Sequence, residues 1–287
     1  MSLIDSILNI AGILLWLNWR SVAADPFITG TPATLSGTLR RAQPAKPNRW
    51  NYLAAIGVLL LLRAVLYRLI GPEVNWVPKL KLFFIDLGFH FGPTFFGSMG
   101  TAILFSLLSF LRVFLICYFW LLVLAAINRN SSSGNPIQKL IVLQLRALAH
   151  WPRFAQIIFP ILLVAALWII FHPLLVIANA ANHVQTNLGL CVQGLLIGLA
   201  IVLTLKYLLV AILAVHLISS YVYFGRSALW DWVDMTAKNF LKVFKLSSVR
   251  AGKIDLAPIA GIVLVLVLLE ILPDWALVRF GRALWPQ

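Results

Sequence analysis

Residues 101–127 read TAILFSLLSFLRVFLICYFWLLVLAAI, an apolar run interrupted only by Arg112. A helix needs about 20 mainly apolar residues to cross a hydrocarbon core about 30 Å thick. Strands and buried core helices seldom run so long without charge, so this stretch reads as a membrane span. Five further stretches come close or qualify: Leu3–Trp19, Tyr52–Ile70, Ile157–Ala180, part of Leu188–Phe224, and Leu256–Trp275. The composition agrees. Of 287 residues, 61% are hydrophobic and 11% charged, against about 45–50% and about 25% in soluble domains. Mean hydropathy is +0.94. Extensive disorder is excluded, because disordered segments are poor in apolar and aromatic residues.

The net charge of +14 follows the membrane rather than a nucleic acid. Arg20, Arg40, Arg41, Lys46 and Arg49 follow the first span. Arg129, Lys139, Arg146 and Arg153 follow the third, and Arg226, Lys238, Lys242, Lys245, Arg250 and Lys253 the fifth. The intervening loops carry Lys79 and Lys81 beside Glu73 and Asp86, or no charge. Lys/Arg excess marks cytoplasmic loops, so the pattern predicts six spans with basic loops cytoplasmic and both termini outside. Arg279 and Arg282 in the tail run against it. Trp16, Trp19, Trp50, Trp76, Trp275 and Trp285 bracket spans as interface belts do. The leader Met-Ser-Leu-Ile-Asp lacks the basic start of a secretory signal, so the first span is expected to be retained.

The alternation of span, basic amphipathic loop, proline-bearing entry and span recurs three times. The predicted organisation is a first hairpin repeat over 1–72, an outer interfacial or re-entrant segment over 73–99, and hairpin repeats over 100–181 and 182–287. The loops open on Asp25-Pro26, Asn135-Pro136 and Ser227, and close on Pro44, Pro152 and Pro258. The fold class expected is all-α and polytopic, with interfacial amphipathic helices between spans.

The loop closing on Pro258 contains Gly252, Lys253, Ile254, Asp255, Leu256, Ala257, Pro258 and Ile259, after a span end at Ser220-Tyr221-Val222-Tyr223. This stretch resembles the YggT family of small integral membrane proteins, whose last span opens on a G-x-I-D-L-S-P-I pattern. Ala257 stands where the family has Ser. Asn135-Pro136 and the Thr31-Pro32 to Pro44 loop fit more loosely, and a third hairpin departs from the usual two. The resemblance implies a place in a bacterial inner membrane. It also implies a link to cell-division and nucleoid organisation, osmotic tolerance or, in chloroplasts, haem attachment. Fold likeness alone does not choose among these.

Four charges inside spans are candidate functional groups: Arg63, Arg112, Lys206 and Glu270. Ionisable residues in hydrocarbon are costly and are paired or functional. Arg63, Arg112 and Glu270 sit at comparable distances from the inferred cytoplasmic ends, so Arg112–Glu270 or Arg63–Glu270 pairing is anticipated. The surplus of cations leaves room for an anionic guest, such as a lipid phosphate or a haem propionate.

A second set lies in the loops. Asp231, Asp234, Lys238, Lys242 and Lys245 follow one stripe of a 3.6-residue period, with Trp230, Val233, Ala237, Leu241 and Phe244 one residue behind. Lys139, Arg146, His150 and Arg153 echo that spacing. Both loops are expected to form helices lying on the membrane, apolar face in lipid and lysines toward anionic head groups. Arg40 and Arg41 belong to the same set.

His172 and His216 are the histidines nearest the spans, but their depths do not match as the two axial ligands of a haem would need. Gly194 and Gly198 form a GxxxG packing seam, and Pro160, Pro173 and Pro258 are expected to bend or start spans. The run 188–224 is about 36 residues long, so it tilts, projects, or breaks near Lys206. Cys117 and Cys191 show no CxxC or metal-ligand spacing. No GxSxG, HExxH, Walker A or dinucleotide fingerprint is present. The sequence therefore points to a non-catalytic scaffold or assembly factor without metal or cofactor. Its expected partners are anionic lipid and a membrane protein or a second copy. A channel or transporter is the alternative, and a haem-handling chaperone a weaker one.

Overall fold

The computed structural model describes residues 2–23, 48–70, 78–82, 85–89, 95–130, 134–181, 184, 186–222, 225, 227–244, 250–251 and 254–271. Among them the chain is mostly helical. In order, the elements are α1 (Ser2–Ala23), α2 (Arg49–Ile70), β1 (Lys79–Leu82), β2 (Ile85–Gly88), α3 (Phe95–Ile127), α4 (Pro136–Leu145), a 3-10 turn (Arg146–His150), α5 (Arg153–Ile177), α6 (Asn187–Leu203), α7 (Leu205–Tyr221), α8 (Ala228–Val243), β3 (Arg250–Ala251), β4 (Ile254–Asp255), α9 (Ala257–Leu266) and a π-helical turn (Val267–Ile271).

Four helical stretches are long and apolar enough to cross a membrane: Arg49–Ile70, Met99–Ile127, Arg153–Ile177 and Asn187–Tyr221. These account for the second to fifth expected spans. The first, α1, carries Asp5, Asn9 and Asn18 and is less apolar; the last, Ala257–Ile271, is a shorter apolar helix over its described residues. The fold is not purely helical. Two two-stranded pieces, β1–β2 and β3–β4, interrupt it. The first occupies the segment read as interfacial or re-entrant, and α3 starts at Phe95, six residues before the expected span. Leu80, Leu87 and Phe89 are buried there, which absorbs part of the segment's aromatic and aliphatic character.

The helices divide into two compact units. The first holds Met1–Lys81, Ile85–Phe114 and Leu174–Asn182. Within it α1, α2 and the first part of α3 form an up-down-up bundle. Arg63 and Tyr67 of α2 meet Asn9 and Asp5 of α1 in descending order, so α1 and α2 are antiparallel. Asn9–Ser109, a packed Gly12–Phe110 pair and the Trp16–Phe114 ring contact run in ascending order, so α1 and α3 are parallel. Ser106 Oγ donates to the Leu60 carbonyl at 2.9 Å, joining α3 to α2. Phe105 packs edge-on against Tyr67 and Phe89.

The second unit holds Leu82–Phe84, Leu115–Pro173 and His183–Gln287. In it α5 and α6 form an antiparallel pair whose seam is the GxxxG. A Cβ on Gly198 would stand 2.5 Å from the Ile161 carbonyl oxygen, and one on Gly194 3.0 Å from that of Ala165. The two backbones approach as closely as missing side chains allow, so this seam is used inside the chain. The long run does break beside Lys206: α6 ends at Leu203 and α7 begins at Leu205. Thr204 Oγ1 donates to the Ile201 carbonyl at 2.6 Å and accepts from Trp120 Nε1 at 2.9 Å. Pro160 and Pro173 lie inside α5, and Pro258 is in the first turn of α9, where its missing N–H costs nothing.

Candidate functional site

Arg63 is the most deeply buried charge in the first unit, with no exposed surface. Its Nη2 lies 2.6 Å from Asp5 Oδ1 and 2.7 Å from Ser109 Oγ, its Nη1 2.8 Å from Asn9 Oδ1, and its Nε 3.1 Å from Tyr67 Oη. Tyr67 also donates to Asp5. The guanidinium lies 5.4 Å and 5.6 Å from the Tyr67 and Phe105 ring centres. Asp5 and Asn9 are four residues apart on α1, as are Arg63 and Tyr67 on α2, so each pair falls on one helix face. This explains how α1 tolerates polar residues: they turn inward onto the arginine. All three guanidinium nitrogens of Arg63 are engaged, through four of its five N–H donors. The cluster is a latch in which Asp5 supplies the counter-charge.

Glu270 pairs with neither Arg63 nor Arg112, the partners expected from their positions. It lies in the π-helical turn, 46% exposed, with Oε1 3.3 Å from Lys206 Nζ. Lys206 also sits 5.3 Å from the Tyr207 ring centre. Depth counted along a helix does not resolve which face a residue takes, and Arg63 and Lys206 are taken by Asp5 and Glu270. Arg112 is left: it is half-buried, its Nε is shielded from solvent, and it has no hydrogen bond or ion pair among the described residues.

The loop helices differ from expectation in what covers them. On α8, Trp232, Val233, Thr236, Ala237, Phe240 and Leu241 are buried, while Asp231, Lys238 and Lys242 are exposed. The amphipathic pattern is real, but the apolar face packs on α4, α7 and α9 instead of lipid. Leu241 fills the space that a side chain on Gly261 of α9 would need. Asn135 caps α4 through its side chain and donates from Nδ2 to the Ala228 carbonyl at 2.9 Å. Trp232 Nε1 donates to Gln138 Oε1 at 3.4 Å. Asn128, just past the end of α3, donates to Thr236 Oγ1 and accepts from Asn239 Nδ2, each at 2.8 Å. Asp234 pairs with Lys238 at 2.6 Å, and its other oxygen is 2.8 Å from His216 Nδ1 on α7, near in distance but not aligned as a hydrogen bond.

The second loop does not repeat the α8 stripe. Arg146 takes a φ of 49° at the end of α4 and the chain continues as a 3-10 turn. A positive φ at a non-glycine residue breaks helical register, so Lys139, Arg146, His150 and Arg153 are all exposed but do not share one helix face. Arg40, Arg41, Lys245, Gly252 and Lys253 lie outside the described residues. Of the family-like motif, Asp255 is paired in backbone register with Arg250, and Ala251 with Ile254. Pro258, buried, starts α9. His172 packs edge-on against Trp168 in α5. The α5–α6 register puts it near the start of α6, whereas His216 lies near the far end of α7, so no axial pair is formed.

Sequence reasoning missed Asp5, Asn9, Tyr67 and Ser109 around Arg63, and Asn128, Gln138 and Thr236 under α8. The available signal was a polar residue at i,i+4 spacing inside an apolar helix, which marks an inward face. Comparison with protein-family models, curated proteins and solved structures gives no match for this chain.

Proposed function

We propose that this chain is a non-catalytic integral membrane scaffold or assembly factor of YggT-like character. In this reading six spans form three hairpins, with basic loops on the cytoplasmic side of a bacterial inner membrane and both termini outside. The observation that carries it is the Arg63 cluster: four side chains from α1, α2 and α3 engage all three guanidinium nitrogens. A mobile charge relay needs groups that exchange partners, whereas a locked cluster stiffens a bundle so that it can present fixed surfaces. In the second unit, α4 and α8 expose Lys139, Lys238 and Lys242. This basic surface suits anionic lipid or an acidic cytoplasmic face of a partner. A shorter helix also follows a long apolar stretch in both α3–α4–α5 and α6–α7–α8, and each shorter helix, α4 and α8, precedes a proline-bearing helix, α5 and α9.

The test is purification from native membranes in mild detergent with mass spectrometry of what co-elutes. A stoichiometric partner is expected, and its loss on Lys139/Lys238/Lys242→Gln would assign the surface. Elution as a homo-oligomer alone would overturn the scaffold.

A channel or transporter is the second reading, favoured by one feature. Lys206 and Glu270 meet where the long helix breaks and where α9 passes into a π-helical turn, and π-turns recur at functional sites. Ion flux in proteoliposomes that is lost on Lys206→Leu, with the loop lysines dispensable, would favour it.

A further inference from the structure

Among the described residues Arg112 has no neutralising group. It lies thirteen residues after Met99 and fifteen before Ile127, near the middle of that candidate span. At about 1.5 Å per residue, each end of that span is roughly 20 Å away, beyond the reach of an arginine side chain that snorkels toward head groups. It follows Phe105 and Ser109 on one stripe of α3, at offsets of four and three residues. Ser109 is already engaged by Arg63 and Asn9.

The described in-span carboxylates do not supply the counter-charge. Within the described membrane-crossing and apolar helices they are Asp5 and Glu270, and these are held by Arg63 and Lys206. A guanidinium stays ionised under all ordinary conditions. In hydrocarbon such a charge is paired or faces a polar partner. Arg112 is half-buried with its Nε shielded, so its terminal nitrogens are the part of the guanidinium that an acceptor from outside the chain can meet.

We propose that Arg112 is an assembly contact that pairs, at mid-membrane depth, with an Asp or Glu carboxylate on a transmembrane helix of a different protein. This rests on the scaffold reading and names the chemistry of its partner. A lipid phosphate lies at the membrane surface and does not descend to this level. A second copy of the chain brings its described in-span carboxylates, Asp5 and Glu270, already paired with Arg63 and Lys206. The partner's carboxylate would accept two parallel N–H bonds from the guanidinium fork, the geometry arginine favours.

The probe is a synthetic leucine-rich single-span peptide of about 20 residues with one central Glu, beside versions with central Leu and central Lys. Each is mixed with the full chain in phosphatidylcholine vesicles, and association is read by energy transfer. The Glu peptide is expected to bind about tenfold more tightly than the Leu peptide, with the Lys peptide weakest. Arg112→Leu should abolish the preference and Arg112→Lys should retain part of it. Arg112→Leu removes an unpaired charge from an apolar helix, so the variant should fold with unchanged or raised melting temperature.

Equal binding of Glu and Leu peptides, or a preference that survives Arg112→Leu, would overturn the proposal. So would a phosphatidylglycerol molecule retained in native mass spectra of the wild type and lost in Arg112→Leu, since the cation would then be capped by lipid. A native partner that co-purifies equally with wild type and Arg112→Leu would overturn this contact while leaving the scaffold reading in place.

Discussion

Asn128, just past the end of α3, donates its side-chain amide to Thr236 Oγ1 in the middle of α8, 2.8 Å away and 108 positions along the chain. Both residues are buried, and Asn239 completes the amide by donating to Asn128 Oδ1. The contact fixes where along α8 the loop helix sits, because the hydroxyl in turn donates to the Trp232 carbonyl at 2.7 Å. Apolar packing alone would hold α8 down without choosing its register.

Removing one side of this contact strands the other. Asn128→Leu should destabilise α8 docking by about 1–3 kcal/mol, the cost of leaving a buried polar group unpaired. Thr236→Val leaves the amide partly satisfied by Asn239 and should cost less. Hydrogen exchange of the full chain in detergent micelles would show faster exchange along 228–243, with α5 and α6 unchanged. Uniform acceleration in all helices would mean that Asn128 supports the whole unit instead of this helix.

The Arg63 latch makes a sharper demand. Arg63→Leu leaves Asp5 half-buried without its cation and should lower stability by about 3–5 kcal/mol, whereas Asp5→Leu combined with Arg63→Leu should recover most of the loss. A double-mutant cycle on thermal melting in detergent measures the coupling. Additive losses would show that the pair is not the unit of stability, and that Asn9 and Ser109 hold the arginine without Asp5.

That latch also marks how much was readable in advance. The long apolar runs around Arg63, Arg112, Trp168 and Ile197 announced spanning helices by composition alone, and the 3.6-residue stripe of α8 announced an amphipathic helix. What covered α8 was not legible. Periodicity reports that a face is apolar, and lipid and protein are equally apolar. Charge partners were hidden for a related reason. Glu270 and Arg63 stand at similar counts from their helix ends, but a helix of 3.6 residues per turn distributes equal depths around its circumference. The break at Thr204 came from a side chain bonding its own backbone at Ile201 and being held by Trp120, a pairing 84 positions long that no local pattern carries.

The α5–α6 seam predicts a steric asymmetry between glycines. Gly198→Ala would place a methyl 2.5 Å from the Ile161 carbonyl oxygen, which belongs to backbone and cannot rotate away. The helices must part, and a loss of about 1–3 kcal/mol is expected from overpacking. Gly57 on α2 meets nothing within 4 Å of its notional Cβ, so Gly57→Ala should stabilise by about 0.5–1 kcal/mol through helix propensity alone. Thermal melting of both variants under one condition separates close approach from mere glycine content. Equal behaviour would remove the seam as an explanation of the GxxxG.

The exposed lysines of α4 and α8 should act on binding and leave the fold alone. Lys139 and Lys242 make no ion pair among the described residues, and Lys238 pairs only with Asp234 on its own exposed face. Surface pairs at i,i+4 contribute about 0.3–0.5 kcal/mol, so Lys238→Gln should barely shift melting. Attraction to an anionic surface is worth about 1 kcal/mol per basic residue near it, so removing all three should weaken retention of phosphatidylglycerol by roughly a hundredfold. Native mass spectrometry of the full chain, with phosphatidylglycerol titrated into neutral micelles, reads that change directly. The loss should shrink as salt rises from low ionic strength to about 0.5 M, where the Debye length is only about 4 Å. Retention that is indifferent to both the substitutions and the salt would place the anionic contact elsewhere on the chain. A fall in melting temperature would instead show that the lysines hold α8 to its neighbours.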